Sequence, residues 1–392
     1  MNFKELIEKY KQGNASEEEI KIIEEEIEKY EAIEEYLAGN MELDFISSNE
    51  DTENKDESKY LKRSVNRRLR KVILTSVSIV LAIYLGIFYI ISPIIDSMYY
   101  NPNRITVGEV NDDLYFDLQV FTELNMPGYG LSSPVIAESL GFGNYDIYYG
   151  RSKQFTQEKE VLNMKIKRGK LTHLTESLYP EVFINFLTYT QPEVFDENSI
   201  ERKNERVMSH LKQLNPVSYV AAYLTFDRDL TMEEFRELEW DYPVRFIWAG
   251  IRTEPEDEEY KKITGFRIDN NFVSQSGDSP DKEKYPAFDY HEWLRDNGGV
   301  TTVSNTPKAY ELHYKSLLRY MVDREEAVLT FEMMPIKYEY YKSALKYVEE
   351  NGVNTYGVLV FANPDDLIDL VENGPIENLE IDEVLASRRY IH

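Results

Sequence analysis

"RRLRKVILTSVSIVLAIYLGIFYI", residues 67–90, decides how the rest of this chain must be read. The apolar run it contains extends from Val72 to Ile95, and no Asp, Glu, Lys or Arg lies between Lys71 and Asp96. At about 1.5 Å per residue it makes a helix of roughly 36 Å, against a hydrocarbon core of about 30 Å. Each charge placed at its centre would cost about 2.5–3.5 kcal/mol on insertion scales. A buried core helix of this length would carry a polar stripe, and a cleaved signal peptide would lie nearer the start and leave through a small-x-small exit. The run predicts one transmembrane helix, 72–95.

Charge sets its expected direction. Residues 62–71 hold six cations, among them Arg67, Arg68, Arg70 and Lys71, and no acid, whereas Asp96 opens the other side and the next cation is Arg104. By the positive-inside rule these membrane-orienting residues place the N-terminus in the cytoplasm and the C-terminal region outside. Tyr89, Tyr99 and Tyr100 are expected at the outer interface, and Pro93 near the outer helix end.

The remaining charge is unevenly spread. Residues 1–45 hold five lysines against fourteen acids, and residues 72–392 hold 31 cations against 52 acids. Neither side offers the basic surface that phosphate contact needs, so no direct nucleic-acid binding is expected. There is no cysteine, which excludes disulfides and thiolate metal sites and leaves the outer region to hold itself together by its core.

The head, residues 1–45, reads as two helices. Phe3, Leu6, Ile7 and Tyr10 recur at helical spacing, Gly13 and Asn14 interrupt, and Ser16 with Glu19 forms an S-x-x-E capping box. Beyond it Ile20, Ile23, Ile27, Tyr30, Ile33 and Leu37 make one apolar stripe, with Glu and Lys elsewhere. Two helices of about this size do not stabilise themselves without a metal, a disulfide or a partner. The stripe therefore predicts a cytoplasmic protein that receives it in a groove, with self-association, or a loosely folded helical hairpin packing only on itself, as the alternative. Residues 46–61, "ISSNEDTENKDESK" and the two that follow, are polar and acidic and read as a flexible tether. Residues 62–71 form a basic juxtamembrane segment.

Outside, the expected class is α+β, with a layered sheet and helices. "YDIYYGRSKQF" (145–155) and "VLNMKIKRGKL" (161–171) read as strands, the second turning at Arg168 and Gly169. A helix is expected around 181–187, and the polar stretch 190–216 marks a boundary between a first outer region (96–215) and a second α+β domain (216–392). In the second, "VSYVAAYLTF" is apolar on both faces and so interior to a sheet, Thr231 caps a short helix, and "PVRFIWAGI" returns as a strand. Helices at 307–321 and 337–352, a strand at 355–362 and a helix at 364–374 follow, with helices expected on one sheet face.

Catalytic motifs are scarce. None of His173, His210, His291, His313 and His392 stands in a ligand spacing, there is no G-x-S-x-G elbow, and "GFGNYD" (141–146) matches only half of G-x-G-x-x-G. Asp269, Asn271 and Asp278 lack the glycine and closing glutamate of an EF-hand. No catalytic residue, metal ligand or cofactor is assigned, and no enzyme is expected. The long insertion 252–299, with Phe288, Tyr290 and Trp293, packs over the sheet or meets a partner.

These features together carry a resemblance. A helical head with "SEEEI" (16–20) opening its long helix, a polar tether, one span and an outer α+β region look like the membrane-bound anti-sigma factors of Gram-positive bacteria with sigma-factor-regulator N- and C-terminal domains. The likeness is strongest in "VSYVAAYLTFDRDLTMEEFRELE" (217–239), "VRFIWAG" (244–250) and "NTYGVLVFANPDDLIDL" (354–370). It implies a single-pass membrane protein that binds an extracytoplasmic-function sigma factor through its head and releases it on an envelope stress signal. A second membrane protein or an envelope ligand would be a further partner. Many relatives place an H-x-x-x-C-x-x-C zinc motif on the long helix; Glu26, Tyr30 and Ile33 stand at those positions here, so the head resembles the zinc-free members. The stripe Ile20, Ile23, Ile27, Tyr30, Ile33 and Leu37 is then the sigma-binding surface. The reading from a different class is a membrane-anchored envelope enzyme or ligand-binding module whose head is only an export stop.

Overall fold

The computed structural model describes residues 16, 20–24, 28, 29, 31, 33, 55–174, 178, 186–194, 196–255, 261–268, 278–297, 305–331 and 335–387. Two units divide the chain, Met1–Ile83 and Tyr84–His392.

In the first unit the described head residues 20–24 are helical, and the Ile20 N–H donates to the Ser16 carbonyl at 2.9 Å. That is the i→i−4 backbone bond of an α-helical turn. Helix α1 (Lys55–Gly86) begins inside the stretch read as tether, so residues 55–61 are helical and not part of a flexible linker. Among the described residues, one helical stretch, Lys62–Asp96, is long and apolar enough to cross a membrane. Its path is α1, a π-helical turn at Ile87–Ile91, and α2 (Ser92–Asp96). Pro93 explains the turn, because it has no N–H to return to the carbonyl four residues back, and the Ser92 N–H reaches instead to the Ile87 carbonyl.

Beyond the span come α3 (Asp113–Asn125) and an antiparallel meander β1 (Tyr129–Gly141), β2 (Asn144–Lys153), β3 (Lys159–Lys167) and β4 (Lys170–Leu174), in that spatial order. The β1–β2 loop is the pair Phe142-Gly143, both at positive φ, which is the twist a two-residue hairpin needs; "GFGNYD" is therefore a turn. Arg168-Gly169 repeats the same solution between β3 and β4, where the sequence places it. In β3 burial alternates, with Leu162, Met164 and Ile166 inward.

After α4 (Leu187–Thr190) and α5 (Glu197–Leu211), a second sheet forms from β5 (Tyr219–Thr231), β6 (Arg245–Ile251), β7 (Gly265–Arg267), β8 (Asn354–Ala362) and β9 (Ile376–Leu385). Its order is β7-β6-β8-β5-β9 and every neighbouring pair is antiparallel. The connecting helices are α6 (Met232–Asp241), α7 (Tyr290–Asp296), α8 (Thr306–Asp323), α9 (Glu325–Phe331), α10 (Pro335–Asn351) and α11 (Pro364–Asn373). Thr231 closes a full capping box with Glu234, and Gly352 ends α10 at φ 83°, where a side chain would be strained.

Strand β5 is buried on both faces, and its two faces meet different layers. Val220, Ala222 and Leu224 join the main core with α3, α6, α8 and α10 residues such as Phe121, Phe235, Leu317 and Tyr341. Tyr219, Ala221 and Tyr223 face a smaller aromatic layer with Phe155, Phe186, Tyr189, Trp248 and Tyr356. Helices on one face are thus only half of the arrangement, because aromatic rings cover the other. The boundary expected near 215 does not separate two cores either: α3 and the first meander contribute Leu118, Phe121 and Tyr149 to the same cluster as β5 and β8.

Candidate functional site

The head stripe is only partly accessible to description. Ile20 is half-buried, Ile23 exposes 2% of its surface, and Ile33 exposes 55%. Ile27, Tyr30 and Leu37 lie outside the described residues. Ile23 is thus covered within the chain itself, while Ile22, which the stripe omits, is exposed. Among the described head residues, Ile22 and Ile33 are the exposed isoleucines.

The orienting cations Arg67, Arg68, Arg70 and Lys71 all stand exposed on α1 immediately before the apolar run. Thr75, one turn in, returns its hydroxyl to the Lys71 and Val72 carbonyls at 2.8 and 2.9 Å, so it brings no unsatisfied donor into the span.

The far end of the same helix is fastened to the C-terminal domain. Ser92, buried among exposed neighbours, accepts from the Phe142 N–H at 2.8 Å. Asp96 accepts from the Gly143 N–H, and the Phe88 ring meets Phe142 edge-on at 5.8 Å. Tyr100, expected at the interface with Tyr89 and Tyr99, is instead buried, and its hydroxyl donates to Asp117 at 2.8 Å. The reason is that Asp117 is buried in α3 and needs hydrogen-bond donors, of which the Tyr100 hydroxyl is one. Asp117 also takes a two-pronged contact from Arg324 at 2.8 Å for each nitrogen and a hydroxyl from Tyr320 at 2.7 Å. Asp113 adds an ion pair with Arg324 at 3.1 Å and accepts from the Thr106 and Val107 N–H groups. The result is a continuous polar path from the membrane exit through Tyr100 to Arg324, which lies between α8 and α9. Burial would weaken the Arg324 charge, but the Asp117 carboxylate outweighs it and raises its pKa. Burial, reinforced by the same carboxylate, pushes the Tyr100 and Tyr320 hydroxyls up.

A second buried network lies deeper. His313 Nε2 stands 2.9 Å from Glu123 and its Nδ1 is 2.9 Å from the Ala287 carbonyl. Glu123 also accepts from the Arg267 N–H, and its own carbonyl takes the Trp248 indole N–H at 2.8 Å. Burial opposes charge on both partners and is overcome by their attraction, so Glu123 is held below the usual carboxylate range and His313 is raised. No sequence pattern marks this pair, because 190 residues separate its members. His392, Asp269 and Asn271 lie outside the described residues. Asp278 accepts from three consecutive N–H groups, those of Glu109, Val110 and Asn111, at 2.6, 2.9 and 2.7 Å. Its carboxylate is thereby committed to pinning the loop after the span, in the space that Gly108 leaves open.

Residues 211–383, which run from the end of α5 through nearly all of β9, match the family model for the sigma factor regulator C-terminal region. Over those residues the chain is similar to the sigma factor regulator C-terminal family. Along its length the chain is also similar to the "Probable anti-sigma-M factor YhdL" of Bacillus subtilis (strain 168), at 21% identity over 394 residues, covering 97% of each protein. No solved structure matches. Both comparisons point where the residues did, toward sigma factor regulation.

Proposed function

We propose that this protein is a membrane-anchored anti-sigma factor that holds an extracytoplasmic-function sigma factor through its cytoplasmic head and releases it on an envelope signal. The observation that carries the reading is the sigma factor regulator match at 211–383 on the same chain as an apolar helix at Lys62–Asp96. The asymmetry of charge about that helix supports a cytoplasmic N-terminus and an outer C-terminal region. The acidic head supplies carboxylates around its apolar stripe, a pattern that suits a partner groove with a basic rim. Bound there, the sigma factor is kept from polymerase and promoter.

The outer domain supplies the input. A ligand or second membrane protein acting on it alters the membrane helix through the Tyr100–Asp117–Arg324 path and the hairpin bonds at Ser92 and Asp96. Co-purification of the membrane-embedded chain with an extracytoplasmic-function sigma factor tests the reading. Ile33→Glu and Ile27→Glu are each expected to abolish retention while leaving membrane insertion intact, and retention unchanged in both variants overturns the assignment of the stripe.

A further inference from the structure

The first outer sheet ends in two neighbouring turns, Phe142-Gly143 and Arg168-Gly169, and the two are joined: the Arg168 N–H donates to the Gly143 carbonyl at 2.6 Å. Both turns are held against the end of the apolar helix. Ser92 and Asp96 take the Phe142 and Gly143 N–H groups, and Tyr99 packs close to Gly143 and Gly169. Phe88, which Phe142 touches, lies seven residues inside the end of the run at Ile95, roughly 10 Å along a helix. A ring that reaches Phe88 therefore reaches below the plane where the run leaves the hydrocarbon.

What the turns display fits that depth. Leu140, next to the first turn, exposes 57% of its surface although its neighbours offer no solvent reason for an apolar residue there. The second turn presents Lys167, Arg168 and Lys170, all exposed and without an ion pair among the described residues. Of the charges on the adjoining strands, Asp146 is paired with Lys165 at 3.0 Å and Glu138 is exposed. On a segment where acids outnumber cations by 21, three open cations beside an apolar tip stand out against the prevailing charge.

We propose that these two turns form a foot seated in the outer lipid interface, with Leu140 and Phe142 in the upper acyl region and Lys167, Arg168 and Lys170 against anionic phospholipid headgroups. This rests on the reading of Lys62–Asp96 as a membrane span. Apolar burial and headgroup attraction together hold the sheet at a fixed height. Because Ser92 and Asp96 clamp the foot to the helix, a displacement of the sheet in or out of the interface shifts the helix with it.

The absence of cysteine makes the test direct. The full chain is reconstituted in vesicles of mixed phosphatidylglycerol and phosphatidylcholine, carrying an environment-sensitive fluorophore on Leu140→Cys, on Ile83→Cys within the span, or on Val161→Cys, an exposed site on β3 far from the turn. Headgroup-region spin-labelled lipid is expected to quench the label at position 140, and aqueous iodide to quench it several-fold less than at 161. Replacing Lys167, Arg168 and Lys170 together by Gln is expected to lower the lipid quenching at 140. Equal iodide access at 140 and 161, with position 83 still shielded, overturns the foot alone. Iodide access at position 83 as well overturns the membrane span and the foot with it, and lipid quenching unchanged by the three Gln substitutions overturns the headgroup contact.

Discussion

The β1–β4 and β5–β9 sheets use the same antiparallel chemistry and differ in what covers them. In the β5–β9 sheet the interior strands are buried on both faces, by helices on one side and by stacked aromatics on the other. In the β1–β4 meander one face meets α3 and the core while the other leaves Ile136, Leu140 and Val161 open. A sheet covered on both faces has no surface left for recognition and serves as the rigid body. A one-sided sheet has a free face and free turns, and here its turns are the part that touches the membrane helix.

That contrast can be broken or sharpened by substitution in the detergent-solubilised chain. The largest effect is expected in the covered sheet: Val358→Asp buries a carboxylate without a partner in β8 and should prevent folding, a loss of more than about 5 kcal/mol, read as absence of a cooperative thermal transition. Arg324→Met follows. It leaves Asp113 and Asp117 buried without their cation, and a destabilisation of about 3–5 kcal/mol is expected in denaturant titration.

A smaller effect, distinguishable by its pH dependence, belongs to the His313–Glu123 pair. Because the His313 pKa is raised in the fold, its contribution is complete below the unfolded value near 6.5 and fades as pH rises through the folded one. Because that of Glu123 is lowered, its contribution is present above the unfolded value near 4.5 and is lost as pH falls. The thermal midpoint should therefore decline as pH rises beyond neutrality, and Glu123→Gln should flatten that decline. An unchanged slope would show the pair to be uncharged. The smallest effect is expected on the open meander, where Lys165→Ala removes a half-exposed ion pair with Asp146 and should shift stability by less than about 0.5 kcal/mol.

How much of this was legible beforehand depends on whether the signal is local. Thr231 with Glu234, Gly352, the Arg168-Gly169 turn and the two-faced β5 are all readable, because a cap, a left-handed turn or an unbroken apolar run is written in adjacent residues. Helix α3 escapes, since twelve of its thirteen residues are buried and a helix covered all round has no period to detect. Strand β1 escapes too, its burial following no simple alternation. Spacing places Ile23 in the apolar stripe and leaves out Ile22, but that Ile23 is covered and Ile22 exposed depends on the neighbours the helix meets. For the same reason Tyr100 looks like an interface anchor until Asp117 is found beside it.

By itself the sequence determined the charge-free run at 72–95, the cations that flank it, the cysteine-free chemistry and the order of most outer strands and helices, all of which rest on composition and short-range spacing. Only the tertiary structure decided which sheet is the core, that α3 lies within it, and that the hairpin turns grip the membrane helix at Ser92 and Asp96. Those contacts join residues tens to hundreds apart, and the desolvation that makes them matter exists only once the chain has closed around them.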